Sequence, residues 1–214
     1  EIQTINKLIN QQCRPMTIII SGAKVSTKIV VIKKLLTKCD YMILGGGILN
    51  TFLKAKGYEV GKSLLEEGYV SDAVKILESD SAHKIIFPSD FSCATDDGIA
   101  NVELSQISTN DTIYDLGSTS IHEIKNIVRK SVSVFWNGPL GYVEKKPFNK
   151  GTEELAKAIA DHNCFSIAGG GDTLPIIENL KLQNGYNCIS TGGGSLLTYL
   201  EGGSLPIIDK LNLR

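Results

Sequence analysis

Three features of the sequence carry residue types that could do chemistry. The first is SIAGGGDTLP, residues 166–175, where an apolar run meets Gly169, Gly170 and Gly171 and then Asp172, Thr173 and Pro175. A plain turn needs one glycine, and three in a row let another group come close to the main chain. Asp172 has two readings at this spacing. It can cap a helix whose first turn suits Pro175. It can also hold Mg2+, with the freed glycine N–H groups and Thr173 meeting phosphate oxygens, because Mg2+ keeps most of its waters and takes only one or two carboxylates. The second is SGAKVSTK, residues 21–28, where Lys24 and Lys28 stand one helical turn apart. Two ammonium groups on one face can follow a phosphate chain; on an ordinary surface helix they are only solvated. The third is recurrence. Gly45, Gly46 and Gly47 follow YMIL, Gly192, Gly193 and Gly194 follow CIST, and NGPLG follows SVSVFW.

Two resemblances to nucleotide motifs fail on inspection. GGGILN at 45–50 has Asn50 where the dinucleotide fingerprint needs glycine or alanine. GYEVGKS at 57–63 puts three residues between its glycines where a Walker A loop needs four, and it follows a helical stretch, so it reads as a surface loop.

The elements that must position these residues alternate. MTIII (16–20), YMIL (41–44), KIIF (84–87), SVSVFW (131–136), CFSIA (164–168) and NCIST (187–191) are short, apolar and rich in β-branched residues, as strands covered on both faces should be. TIYDL (112–116) is a weaker member of the set. Helical spacing marks 24–38, 69–78, 119–130 and 152–161, and Ile2, Ile5 and Ile9 mark a leading helix. Residues 91–111 break the rhythm and read as a small polar excursion, a hairpin. This alternation predicts a Rossmann-like α/β fold: one open, mostly parallel sheet with helices on both faces. Five strands then end in glycine-bearing turns on one edge, where open sheets bind ligands and where N–H groups and helix N-termini favour anions.

Composition narrows the classes. The chain has 214 residues, 42% hydrophobic and 21% charged, with net charge −1 and a pI near 6.4. That balance offers no general attraction to nucleic acid or to an anionic membrane surface. No apolar run approaches the roughly 18 residues of a membrane span. EIQTINKLINQQ lacks a secretory pattern, so the expected compartment is the cytoplasm. Cys13, Cys39, Cys93, Cys164 and Cys188 are widely spaced and read as small buried hydrophobes in a reducing compartment. His83, His122 and His162 have no ligand-like spacing. The first residue is Glu1, and the chain reads as a piece of something longer.

Taken in order, SGAKVSTK, LGGGILNTFLK, GKSLLEE, FWNGPLGYVE, PFNKGTEELAKAIA, AGGGDT and STGGGSLLTYLEGGSLP resemble the C-terminal, nucleotide-binding half of the phosphoglycerate kinase family across nearly the whole chain. The resemblance implies that residues 1–12 belong to an interdomain helix and 13–214 to the nucleotide domain, with the N-terminal 3-phosphoglycerate domain absent. It implies ATP or ADP with Mg2+ as ligands. Gly22 and Ala23 would flank the nucleotide, and Gly46, Gly47, Leu64 and Ile113 would border adenine. Asn137, Gly138, Pro139 and Leu140 would run beside ribose and phosphates, with Glu144 on the ribose hydroxyls. Gly170, Gly171 and Thr173 would meet phosphate, and Asp172 the metal. Lys24 and Lys28 would serve the phosphates, Lys28 nearest the transferred group, and Gly192, Gly193 and Gly194 would open a helix facing it. The family reaction is reversible phosphoryl transfer between ADP and 1,3-bisphosphoglycerate, giving ATP and 3-phosphoglycerate. A monomer that binds Mg-ADP or Mg-ATP without turnover is the expectation for this chain. A nucleotide-responsive interaction module is the alternative.

The sequence departs from the family pattern in three places. Thr27 replaces an acid, and IYDLGS at 113–118 stands where the family has Gly-Leu-Asp-hydrophobic-Gly-Pro, so Ile113 and Tyr114 narrow or reshape the adenine side. The excursion before IYDLGS is also shorter than usual.

Overall fold

The computed structural model describes residues 2–9 and 13–203. In chain order its elements are α1 (Ile2–Ile9), β1 (Met16–Ser21), α2 (Ile29–Leu36), β2 (Tyr41–Gly45), α3 (Gly46–Ala55), α4 (Val70–Leu77), β3 (Ile85–Ile86), β4 (Asp90–Thr95), β5 (Gly98–Glu103), β6 (Thr112–Leu116), α5 (Ser118–Lys130), β7 (Ser133–Asn137), α6 (Lys150–Asp161), β8 (Phe165–Gly169), α7 (Leu174–Asn179), β9 (Cys188–Ser190) and α8 (Gly193–Leu200).

Six strands form one parallel sheet in the order β3-β2-β1-β7-β8-β9. Every residue of β1 and of β7 is buried, which is why their sequences are continuous apolar runs rather than alternating ones. Ile19 stands opposite Ile43 on one side and Trp136 on the other. The chain steps outward from β1 through β2 to β3, returns to lay β7 on the other side of β1, and steps outward again to β9. Right-handed crossovers in opposite directions put helices on both faces. The fold is the expected Rossmann-like α/β sheet, and the reversal between β1 and β7 is its switch point.

The crossover from β3 to β7 carries a second, antiparallel sheet in the order β5-β4-β6. The hairpin expected within 91–111 is β4–β5. TIYDL is a strand, but it pairs with β4 and not with the parallel set. Its burial alternates over its first residues, as a strand with one covered face requires. GYEVGKS is a loop, though not one facing solvent throughout: Val60 and Ser63 are buried, and Gly61 bridges to Thr112. The leading helix buries Ile5 and Leu8. Residues 10–12, and 204–214 with the end of the GGSLP stretch, lie outside the described residues.

Two buried carboxylates fasten this second sheet to the starts of α5 and α6. Asp90 Oδ1 and Oδ2 accept the N–H groups of Ser120 and Thr119, at 2.7 and 3.1 Å, so a distant strand caps α5. Burial works against its charge, but the bonds from Ser120, Asn101 and Thr119 hold Asp90 below the usual carboxylate range. Asp115 on β6 accepts the N–H of Gly151 at the start of α6 and that of Leu116, both at 2.8 Å. Gly141 and Gly151 approach so closely that a Cβ on either would lie 2.4 Å from this carboxylate.

Burial pushes Asp115 up to about 7 from 3.8, with the Gly151 and Leu116 N–H groups and Lys150 pulling the other way. A folded-state pKa raised above the unfolded one contributes stability that is full below the unfolded value and lost as pH rises through the folded one. The stability of the parent relative to Asp115→Asn is therefore expected to fall between about pH 4 and about pH 7 and to stay level above that range. Urea unfolding of both proteins across this range checks it, and a constant difference would remove Asp115 as the titrating group.

Candidate functional site

The strands β1, β2, β7 and β8 end side by side, with Ser21 paired to Gly45 and Asn137 to Gly169. A two-lobed cleft opens over these ends. The inner lobe, about 300 Å³, is lined by Thr27, Lys28, Asn137, Gly138, Gly170, Gly171, Gly193 and Gly194. The outer lobe, about 380 Å³, is lined by Ala23, Gly46, Gly47, Leu64, Ile113 and Glu144. Gly22, Pro139 and Asp172 line both, so the two lobes adjoin. A larger groove of about 930 Å³, between α2 and the end of α8, shares no lining residue with the cleft.

Lys28 is placed by a break in the expected 24–38 helix. Val25–Thr27 form a single 3-10 turn, Lys28 takes φ −131° and ψ −3°, and the α-helix begins only at Ile29. The turn is held from outside: the Glu66 carboxylate accepts the Ser26 N–H at 2.7 Å and the Ser26 hydroxyl at 2.8 Å. Lys28 thereby swings back onto the strand ends. Its Nζ donates to Ser21 O at 2.5 Å and to Asn137 Oδ1 at 2.6 Å, while Asn137 Nδ2 donates to Gly169 O at 3.1 Å. Burial lowers the Lys28 ammonium to about 8, and the Asp172 carboxylate opposes the shift. Lys24 does not share this position: it is exposed and lines neither lobe, so the expected two-lysine face is one lysine.

Asp172 is exposed and makes no hydrogen bond among the described residues. The helix after it starts from Thr173 without a side-chain cap, so Asp172 is not the N-cap. It points to neither a closed metal cage nor a dry ion pair; the described residues contain no cluster of three metal-ligating side chains. A lone, accessible carboxylate between the lobes fits Mg2+, which draws its remaining oxygens from water and phosphate. Thr173 differs from expectation. It is fully buried, and its hydroxyl accepts the Gly138 N–H at 2.9 Å, so it braces the cleft from behind. Gly138 needs that brace: it holds φ +95°, and a Cβ there would lie 2.2 Å from Ser21 O.

Leu140 and Gly192 also stand off the cleft. Leu140 is buried, its N–H donates to Thr152 Oγ1 at 3.0 Å, and its carbonyl accepts the Gly46 N–H at 3.2 Å. Around the outer lobe, a Cβ on Gly47 would lie 2.3 Å from Ala23 O, so bare backbone forms that wall. Ile113 and the half-exposed Leu64 supply carbon surface. Tyr114 stacks on Tyr142 with centroids 5.6 Å apart, and Lys145 Nζ sits 4.8 Å over the Tyr114 ring. Sequence reasoning did not find Asn50, Tyr142 or Glu66. Asn50 had a signal, a lone amide in the apolar run GGILNTFL; the other two acquire meaning only from what they touch. Chemically, the cleft offers a mainly apolar lobe beside a space lined by one ammonium, one carboxylate and several glycines.

The family model for phosphoglycerate kinase matches residues 1–203. Phosphoglycerate kinase of Baumannia cicadellinicola subsp. Homalodisca coagulata is 40% identical over 213 residues, covering 99% of this chain and 54% of that protein. That of Buchnera aphidicola subsp. Baizongia pistaciae is 44% identical over 215 residues, with the same coverage. Among solved structures, phosphoglycerate kinase from Coxiella burnetii superposes with TM-score 0.92 at 35% identity, over 100% of this chain and 56% of its own. The Pyrococcus horikoshii enzyme gives 0.88 at 29%, over 99% and 55%. The chain thus spans about half the length of the relatives it matches.

The placement of Lys28 is measurable without any ligand. In protein with labelled lysine side chains, one ammonium assigned by Lys28→Arg should titrate near 8. Asp172→Asn should lower that midpoint further, because the carboxylate favours the charged form. Titration in the ordinary lysine range near 10.4 would contradict the buried placement.

Proposed function

The chain belongs to the phosphoglycerate kinase family, and we propose that it is the nucleotide-binding half of such a glycolytic kinase, taking Mg-ADP or Mg-ATP across the two-lobed cleft. The observation that carries this reading is the adjacency: a mainly apolar lobe adjoins a lobe holding Lys28, and Asp172 lines both. In the whole cytoplasmic enzyme the reaction is phosphoryl transfer between 1,3-bisphosphoglycerate and ADP. The part of the relatives that this chain does not span would hold 3-phosphoglycerate.

The base lies against Gly46, Gly47, Leu64 and Ile113, and Glu144 at the rim accepts from ribose hydroxyls. Phosphates run past Gly22 and Pro139 into the inner lobe, where Gly170, Gly171 and the N–H groups of Gly193 and Gly194 receive oxygens. Asp172 would hold Mg2+, which when bound offsets phosphate charge. An ammonium has three donors. Ser21 O and Asn137 Oδ1 take two of those on Lys28, which leaves one for a phosphoryl oxygen. Phosphoryl transfer depends on positioning and charge stabilisation more than on covalent chemistry, and a donor already fixed in place strengthens as charge spreads over the moving oxygens.

Calorimetry with Mg-ADP and with adenosine tests the reading. Asp172→Asn should weaken Mg-ADP and leave adenosine nearly unchanged; equal losses would count against the metal role. Affinity for ADP should also fall as pH rises above about 8, where Lys28 becomes neutral, while adenosine binding stays level. Lys28→Met should bind ADP weakly with no such pH dependence. In a coupled assay with ATP and 3-phosphoglycerate the chain alone is expected to stay at background. Turnover on the order of 1–100 per second would instead assign it the whole reaction.

A further inference from the structure

Asn50 presents a buried amide with only one arm in use. It sits in the middle of α3, is 2% exposed, and lines the outer lobe. Its Nδ2 donates to Leu64 O at 2.9 Å. A carbonyl accepts only from the NH2 end, so this bond fixes which way the amide faces. The other arm, Oδ1, is shielded from solvent and has no hydrogen-bond partner. A buried acceptor left unpaired is destabilising and calls for an explanation. Beside it, Leu64 and Ile113 offer only carbon and cannot distinguish one purine from another by hydrogen bonding.

We propose that Asn50 selects the nucleobase: its Oδ1 accepts a hydrogen bond from the exocyclic amine of a 6-aminopurine and rejects a 6-oxopurine. This rests on the nucleotide reading of the cleft. A 6-oxopurine would bring an oxygen to the same place, and two acceptors would face each other with no proton between them. The amide cannot adapt by turning over, because that would set Oδ1 against Leu64 O. The Leu64 bond therefore does more than pack a loop; it locks the polarity of the reader. Because Oδ1 is shielded, base entry must shift a lining side chain, and Leu64, 60% exposed, has the room to move. A void of about 20 Å³ behind Asn50, also bordered by Tyr114 and Leu140, is large enough for one water. A water there could serve Oδ1 in place of the base. It would equally serve an amine or an oxo group, so it would leave no preference.

The test compares ADP with IDP, in which the 6-amine becomes an oxo group and N1 gains a proton, by calorimetry on the 214-residue chain. The parent is expected to favour ADP by about tenfold or more. Asn50→Leu should bring the two within about twofold, mainly by weakening ADP. Asn50→Ser serves the same comparison if the leucine variant does not fold. Equal affinity in the parent, or a preference that survives both substitutions, would overturn the assignment and leave Asn50 a structural amide. That outcome would still change urea stability, but not the ADP-to-IDP ratio. Failure of both nucleotides to bind a folded parent would instead overturn the nucleotide reading itself.

Discussion

The cleft depends on one charged contact, the Lys28 ammonium held between Ser21 O and Asn137 Oδ1. These acceptors stand at the ends of β1 and β7, neighbours in the sheet that the chain reaches 109 residues apart when counted from Lys28 to Asn137. Asn137 passes the linkage to β8 through Gly169. A half-buried ammonium is unfavourable unless its donors are met. Here two backbone and side-chain oxygens meet them, and the cost of burial shows as the lowered pKa. The same contact makes a flexible lysine a fixed one, and a fixed donor is what charge stabilisation needs.

The loops around that contact are fastened by side chains from elsewhere in the chain. Glu66 sets the turn that aims Lys28, and its own N–H reaches Thr51 Oγ1 on α3 at 3.1 Å. Thr173 fixes Gly138 from below, and Asp115 holds the segment that carries Tyr142 and Glu144 by way of Gly151. Asp172 and Glu144, the two acids that line the cleft, make no hydrogen bond among the described residues. The contrast separates the carboxylates that shape the site, Glu66 and Asp115, from the two that face open space.

This explains what the sequence could and could not tell. The parallel strands were legible because continuous β-branched runs leave few alternatives, and the glycine strings at their ends marked the ligand edge. TIYDL was legible as a strand but not as part of another sheet, since its partner, β4, is set by a hairpin whose residues carry little periodic signal. The pairing of Lys24 with Lys28 followed from local spacing and failed for a non-local reason, the Glu66 clamp forty residues away on Ser26. Thr173 has the composition of a phosphate ligand and the burial of a brace. Asn50 looked like a broken fingerprint, and only the unpaired oxygen gives it a role.

The order of strands also has a consequence for synthesis. β1 is flanked on one side by β2, which follows it closely, and on the other by β7, which emerges only after the whole second sheet and α5. Until then a nascent chain leaving the ribosome carries β1 as a bare apolar edge, with nothing to pair its outer N–H and C=O groups. Such an edge is the kind that recruits strands from other chains. Long-range pairing of this sort slows folding, because the intervening loop must close before the contacts form. The arrangement that creates the cleft between β1 and β7 therefore also sets an interval, between synthesis of residues 45 and 133, in which one edge of β1 has no strand to pair with.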